Sequence, residues 1–177
     1  MMTPAGQGRR NRPDAADLPA DFADFIACLN THTVEYLLVG GYAVGVHGHV
    51  RATVDIDFFY RRTPENVSRL LAALNDFGAP PVVLDRAHLE APDTITAFGE
   101  PPTRIDLLSG ISGVSFDEAT ADRLMVRVDD KVLPVIGLAA LLANKRASGR
   151  PKDRHDVEQL GGGADVGRAP RRRKKGA

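Results

Sequence analysis

Two aspartates separated by one residue, Asp55 and Asp57, lie in the segment RATVDIDFFY at positions 51–60. Apolar and polar residues alternate along this segment, which predicts a β-strand with both carboxylates on one face. Strands seldom contain Asp, and neighbouring like charges repel, so the pair is costly unless a cation lies between the carboxylates. Mg²⁺ takes oxygen ligands and bridges to substrate phosphates, which makes the pair a candidate metal site. The alternative is a strand face open to solvent, against which Phe59 on the same face argues.

A third carboxylate, Asp106, lies within the largely apolar segment TRIDLLS at positions 103–109, which predicts another strand. On a neighbouring strand, Asp106 would complete a metal site and accept the proton of an attacking hydroxyl. The alternative is an ion pair with Arg104, which lies two residues earlier on the same face. Both interpretations remain open at this point.

A Gly40-Gly41 turn separates an apolar run at 34–39 from a predicted short helix at 42–49. Glycines let a ligand approach the backbone closely, and the N–H groups at the start of a helix bind phosphate. The turn precedes the carboxylate strand by one helix. Phosphates bound at the turn would therefore lie near a metal held at the strand.

Lys145 occupies the last position of an apolar stripe on a predicted C-terminal helix. A lysine at a helix end often extends its charge to solvent, which is the structural alternative here. However, Asp153 and Asp156 share the inward side of the next predicted helix, so charge is directed inward on two successive helices. A lysine in such a place is suited to neutralising a triphosphate. The same segment contains three more basic residues, Arg150, Lys152 and Arg154.

The elements that must position these residues follow from apolar periodicity, caps and turn residues. They predict an α/β fold with a mixed central sheet flanked by helices, in which C-terminal helices close the cleft. Ser115 with Glu118 has the spacing of a capping box. The remaining predictions are Val54, Ile56 and Phe58 as anchors of the carboxylate strand; a helix from Pro19 with the stripe Phe22, Phe25, Ile26 and Leu29; a helix from Thr63-Pro64 to Gly78; helices at 115–123, 138–147 and 153–160; strands at 81–84 and 94–99; and a hairpin of 124–128 and 132–137.

The charges of the chain are unevenly distributed although the formal net charge is zero. Residues 1–13 carry three basic side chains and the last ten residues carry six, which leaves 14 of the 23 basic residues against all 23 acidic ones. The part of the chain between these two ends is therefore acidic. Such a charge disfavours non-specific nucleic-acid binding. We therefore predict one domain at 18–163, between disordered basic segments at 1–17 and 164–177.

Composition also restricts location and metal chemistry. The 177 residues contain one cysteine, which excludes a disulfide framework and fits a reducing compartment. No apolar run approaches the roughly 20 residues of a membrane span, and no apolar segment follows the basic start as a secretory signal requires. No Cys/His group has the spacing of zinc ligands. The prediction is a cytoplasmic protein without membrane or zinc.

Two segments carry a resemblance to known families. YLLVGGYAVGVHGHVRATVDIDFFY (36–60) resembles the signature of the nucleotidyltransferase superfamily with the polymerase-beta-like fold: a strand, a Gly-Gly turn, a helix and Asp-x-Asp on the next strand. LAALLANKRASGRPKDRHDVEQL (138–160) resembles the C-terminal motif of AbiEii-type nucleotidyltransferases, the toxins of type IV toxin–antitoxin pairs. One departure is Tyr42, which follows Gly-Gly where many members have Gly-Ser, so a serine contact to phosphate is not available.

The resemblance implies roles for the residues that match these motifs, with Mg²⁺ or Mn²⁺ as cofactor and an NTP as substrate. It also implies that Asp153 and Asp156 support Lys145 or Arg150. The implied catalytic residues are Asp55, Asp57, Asp106 and Lys145; the metal ligands are Asp55, Asp57 and Asp106; and the nucleotide-binding residues are Gly40, Gly41, Tyr42, Arg51, Thr53, Lys145, Arg150, Asp153 and Asp156.

The implied activity is transfer of a nucleoside monophosphate from an NTP to an acceptor hydroxyl, with release of pyrophosphate. The acceptor would be the end of a tRNA or another RNA, or a protein, and the partner would be a cognate antitoxin. One alternative is an adenylyltransferase that modifies antibiotics such as aminoglycosides, which shares the first motif but not the second. Another is a non-catalytic nucleotide-binding module, against which three intact carboxylates argue.

Overall fold

The computed structural model describes residues 18–161. The basic segments predicted at 1–17 and 164–177 lie outside these residues. Within the described part of the chain, every helix is too short or too polar to cross a bilayer.

A six-stranded mixed sheet forms the centre of the fold, which confirms the predicted architecture. Its strand order is β3-β4-β2-β1-β6-β5, with β2 parallel to β4 and β1 parallel to β6, while the other neighbours are antiparallel. Strands β5 and β6 form the predicted hairpin. The bounds are β1 Tyr36–Val39, β2 Asp55–Tyr60, β3 Ile95–Phe98, β4 Arg104–Leu108, β5 Leu124–Val128 and β6 Lys131–Val135.

Seven α-helices of the described residues surround the sheet, and local sequence signals explain several of their ends. The Thr63 side chain accepts a hydrogen bond from the Asn66 N–H at the start of α3, and Gly78 ends that helix in the left-handed conformation. Ser115 and Glu118 form the predicted capping box of α5. The bounds are α1 Ala20–Thr31, α2 Gly40–Val46, α3 Pro64–Phe77, α4 Arg86–Glu90, α5 Phe116–Ala121, α6 Leu138–Ser148 and α7 Pro151–Gln159.

One face of the sheet is an aromatic and aliphatic core. Phe25 of α1 makes edge-on contacts with Phe58 of β2, Phe77 of α3 and Phe98 of β3, with ring centroids 5.1–5.6 Å apart. Aromatic contacts of this kind stabilise beyond their area burial. The predicted stripe of α1 is buried in full, and with it the apolar faces of the central strands: Phe22, Phe25, Ile26, Leu29, Ile56, Phe58, Ile105 and Leu107.

Three local predictions are wrong. Segment 81–84 is a 3-10 turn over Pro81–Val83 rather than a strand, because Pro81 supplies no ladder donor and Val82 is 82% exposed. Val54 does not anchor the carboxylate strand; it is 55% exposed, and β2 begins one residue later. The short helix expected at 42–49 begins at Gly40, so both glycines belong to α2.

Candidate active site

The register of β2 and β4 brings the three predicted carboxylates together. The strands are parallel, and Asp57 is the cross-strand partner of Asp106, so both side chains lie on the same face as Asp55. One carboxylate oxygen of each residue lies within 4.8 Å of one from each of the others. The apolar end of this face is closed by Phe59, whose ring lies 5.1 Å from that of Phe116 in α5. Asp55 and Asp57 are half-buried, so this face of the strand is only partly open to solvent.

Asp106 is ion-paired with Arg104, as one of its two interpretations predicts. Arg104 is the cross-strand partner of Asp55, and its Nε and Nη2 donate to the two oxygens of Asp106 at 2.8 and 3.1 Å. The guanidinium fork fixes the carboxylate plane, while carboxylate oxygens keep further lone pairs for other partners. Asp106 therefore belongs to the acidic cluster and is also ion-paired.

The surroundings of Asp57 disfavour its ionised form. Burial, followed by the negative charges of Asp55 and Asp106, raises the pKa of Asp57 to about 6, and the positive charges of Lys152 and Lys145 offset this only in part. An added cation would favour the ionised form.

The glycine turn is pressed against this carboxylate. In the antiparallel pairing of β1 and β2, Val39 lies opposite Asp57, so Gly40 follows directly beside it. Gly40 has a φ of +64°, and a Cβ at this position would overlap Asp57 Oδ2. The approach of turn and carboxylate therefore requires a residue without a side chain.

Gly41 packs on the loop that leads into β2. A Cβ at Gly41 would lie 2.9 Å from Thr53 Oγ1 and 3.4 Å from an Arg51 nitrogen. Thr53 Oγ1 in turn donates to Asp55, with distances of 3.1 Å to its carbonyl oxygen and 3.0 Å to Oδ1. The turn, the loop and the first carboxylate form one connected unit.

Tyr42 follows the two glycines in α2 and lies beside the cluster. Its ring meets Phe22 edge-on at 5.8 Å, which holds the half-buried side chain against α1. Burial and then the charge of Asp55 raise the pKa of Tyr42, so the hydroxyl stays protonated beside the carboxylates. Tyr42 therefore lies near Asp55 of the acidic cluster.

Lys145 is 3% exposed and lies among carboxylates of α7. Its Nζ is 2.7 Å from Asp153 Oδ1 and 2.9 Å from Asp156 Oδ2, and both aspartates are fully buried. Asp153 also accepts hydrogen bonds from Ser148 and Arg150. Although burial opposes its ionisation, these donors lower the pKa of Asp153 to about 2. Asp153 thus contacts both Lys145 and Arg150, and Asp156 contacts Lys145.

Asp156 connects α6 and α7 to the loop that precedes the carboxylate strand. Besides Lys145, it binds Arg51 through two parallel contacts, from Nε to Oδ1 at 2.8 Å and from Nη2 to Oδ2 at 3.0 Å. Sequence reasoning did not find this pair, because its members are 105 residues apart and no local pattern relates them.

Exposed cations lie near the start of α7, namely Arg150, Lys152 and Arg154. Arg150 donates to Asp153 at 2.6 Å, whereas the charge of Lys152 acts on Asp57 more than that of Lys145 does. Lys152 was not among the predicted site residues, although it belongs to the basic run that the sequence singles out.

The acidic cluster fits a divalent cation. Its three donors are carboxylates, the ligand type that Mg²⁺ and Mn²⁺ prefer. The absence of a side chain at Gly40 keeps the backbone close to Asp57. The pKa of Asp57 is raised by burial and then by the like charges of Asp55 and Asp106, and a cation would offset this like charge.

Known proteins share features with this chain. The family described as "Nucleotidyltransferase of unknown function (DUF6036)" matches residues 22–161. The solution structure of the antibiotic-resistance factor ANT(2'')-Ia is similar at 14% sequence identity, over 80% of this chain and 83% of that one, with a TM-score of 0.48. Among curated protein sequences, none matches significantly.

Proposed function

The chain belongs to this family of nucleotidyltransferases of unknown function, and on that premise we propose that it transfers a nucleoside monophosphate from an NTP to an acceptor hydroxyl. The observation that carries the proposal is the convergence of Asp55, Asp57 and Asp106 beside a glycine turn. In this proposal the three carboxylates hold Mg²⁺ or Mn²⁺, and the NTP phosphates lie between the cluster and the turn.

The reaction is an in-line displacement at the α-phosphorus. The acceptor oxygen forms a bond to the α-phosphorus, the bond to the β-phosphate oxygen breaks, and pyrophosphate leaves. A bound divalent cation would stabilise the attacking and leaving oxygens. A carboxylate of the cluster receives the acceptor proton, and Arg104 holds Asp106 in a fixed orientation next to it.

In this proposal the glycine turn and nearby exposed cations neutralise the charge of the leaving phosphates. The turn at Gly40 and Gly41 permits close approach of phosphate oxygens, and the exposed cations Arg150 and Lys152 supply positive charge. Contact of Lys145 with the nucleotide remains a prediction. Two of its three N–H donors already serve Asp153 and Asp156, so only one is left for a phosphate.

An RNA end or a protein is the proposed acceptor, and a toxin role with a cognate antitoxin is the finer form of this proposal. Its support is the resemblance of residues 138–160 to the C-terminal motif of AbiEii-type toxins. Modification of a small antibiotic is the competing outcome of the same chemistry. A genomic neighbour that encodes a small DNA-binding antitoxin would support the toxin role.

The proposal is tested by incubating the purified protein with α-labelled NTPs, Mg²⁺ and separate pools of tRNA, total protein and aminoglycosides. Label on RNA or protein is the expected result, and label on the drugs would replace the proposed acceptor. Asp57→Asn should abolish the labelling, whereas Asp129→Asn, a matched change at an exposed hairpin turn, should leave it intact. Equal labelling by wild type and Asp57→Asn would overturn the site. No label on any pool would favour a binding module.

A further inference from the structure

A series of contacts runs from the C-terminal helices to the first carboxylate of the site. Lys145 of α6 binds Asp156 of α7, and Asp156 binds Arg51 in the loop before β2. Arg51 and Thr53 pack against Gly41, and Thr53 donates to Asp55. Arg51 and Asp156, and likewise Thr53 and Asp55, are joined by hydrogen bonds, whereas Arg51 and Thr53 are connected through packing against Gly41.

The buried part of this line has the character of a rigid support. The side chains of Lys145 and Asp156 are 4% and 0% exposed, whereas that of Arg51 is 23% exposed. Separating the two partners of a buried ion pair would leave each charge buried without compensation. The paired arrangement of Lys145 and Asp156 is therefore strongly preferred over one in which they are apart. The bidentate geometry of Arg51 on Asp156 also restricts the direction of the guanidinium.

The supported segment has little else to hold it. The loop between α2 and β2 contains no regular structure from His49 to Thr53, and Val50 and Val54 are exposed. Its described side-chain contacts with distant parts of the chain are the hydrogen bond from Arg51 to Asp156, the ring contact of His49 with His155, and the bond of His47 to the Ile136 carbonyl. Two of these three contacts reach α7.

We propose that Arg51, Asp156 and Lys145 are positioning residues, which hold the loop at 51–53 so that Gly41 and Asp55 keep the geometry needed for nucleotidyl transfer. This inference rests on the proposed function and assigns Arg51 and Asp156 no contact with the nucleotide. Lys145 acts through Asp156, and Asp156 acts through Arg51. A displacement of about 1 Å in such a support is enough to reduce turnover about 100-fold.

The test compares Arg51→Met, Asp156→Asn and the double variant with wild type, using Arg154→Met as the matched control. Arg154 is an exposed arginine of α7, the helix that contains Asp156. Amide hydrogen exchange of residues 47–56 should become about tenfold faster in each single variant, since the loop opens locally. The double variant should exchange no faster than the faster single variant, because both changes break one contact. The control should match wild type.

Kinetics with the acceptor identified by labelling supply the second readout. A falling kcat with an NTP KM within about twofold of wild type fits positioning, because no ground-state contact is lost. A raised KM with additive effects in the double variant would show that Arg51 binds the nucleotide itself and would overturn the proposal. Unchanged exchange in the loop would also overturn it.

The two proposals fail in different ways. If wild type labels no acceptor, the proposed function fails, while hydrogen exchange and Mn²⁺ binding followed by electron paramagnetic resonance still decide the positioning role. Mn²⁺ affinity should weaken in Arg51→Met and stay constant in Arg154→Met. If Asp156→Asn does not fold, the test depends on Arg51→Met. The Arg51 side chain is partly exposed, and Asp156 keeps Lys145 as a partner when Arg51 is replaced, so no buried charge is left unpaired.

Discussion

Gly40 and Asp57 are in direct contact, such that the backbone of one occupies the space beside the carboxylate of the other. Gly40 has a φ of +64°, and a methyl group there would overlap Asp57 Oδ2. The turn and the carboxylate strand are therefore fitted to each other at the level of single atoms.

Gly40→Ala should unfold more easily and lose nucleotidyl transfer. A residue with a Cβ at positive φ costs about 1–2 kcal/mol, and the overlap with Asp57 adds to this. Gly45→Ala in the same helix is the matched control, because a Cβ there meets nothing within 4 Å. That variant should gain about 0.5–1 kcal/mol, since Gly is unfavourable inside a helix. Urea unfolding and labelling assays measure both effects, and an active, stable Gly40→Ala would contradict the contact.

Asp57→Asn should make the protein more stable at pH 7 in the presence of a chelator. The pKa of Asp57 is about 6 in the folded protein, above its usual value of 3.8, so the ionised form disfavours folding. We expect the free energy of unfolding to rise by about 1–2 kcal/mol. A tenfold change in an ionisation constant corresponds to about 1.4 kcal/mol, and solvent screening reduces the effect.

The contribution of Asp57 to stability depends on pH. Between about pH 4 and pH 6 the folded protein binds a proton that the unfolded chain has released, so this group stabilises the fold as pH falls through that window. The difference between wild type and Asp57→Asn in urea unfolding should therefore shrink from pH 7 to pH 4. A constant difference would mean that Asp57 titrates normally.

Mn²⁺ or Mg²⁺ should raise the Tm of the wild-type protein, by more at pH 7.5 than at pH 5.5. Binding requires ionised Asp57, and its pKa of about 6 lies between these two conditions. A cation at 100 times its Kd stabilises by about 2.7 kcal/mol. Differential scanning fluorimetry measures the shift. Asp57→Asn should reduce the shift, and an equal shift in that variant would place the cation elsewhere.

Asp153→Asn should destabilise the protein by about 3 kcal/mol at pH 7, because Lys145 is buried and loses one of its two carboxylates. The pKa of Asp153 is lowered to about 2 in the folded protein, so its contribution is present above about pH 4 and is lost as pH falls toward 2. Asp130→Asn, which removes an exposed partner of Lys131, is the control and should have no measurable effect. Comparable losses in both variants would contradict the role of burial.

Most of the elements were predictable because their signals are local. The apolar stripe of α1, the Thr63 cap and the capping box of α5 each lie within one segment, and each is present. The helix α4 was missed because five residues are too few for periodicity, although Asp85 caps its first turn.

The candidate site was only partly predictable, since its geometry depends on pairing between distant strands. The sequence indicates that Asp55 and Asp57 share a face, but the register that sets Asp106 beside Asp57 is a tertiary property. The apolar stripe of α6 predicts that Lys145 faces inward. It does not predict that Lys145 forms ion pairs with Asp153 and Asp156.

The contact between Arg51 and Asp156 has a consequence for the order of events during synthesis. The ribosome makes Arg51 105 residues before its partner, so the strand with Asp55 and Asp57 leaves the exit tunnel long before α7 exists. A nascent chain therefore carries its acidic residues without the helix that braces the loop beside them. The site becomes complete only when translation has delivered the C-terminal helix.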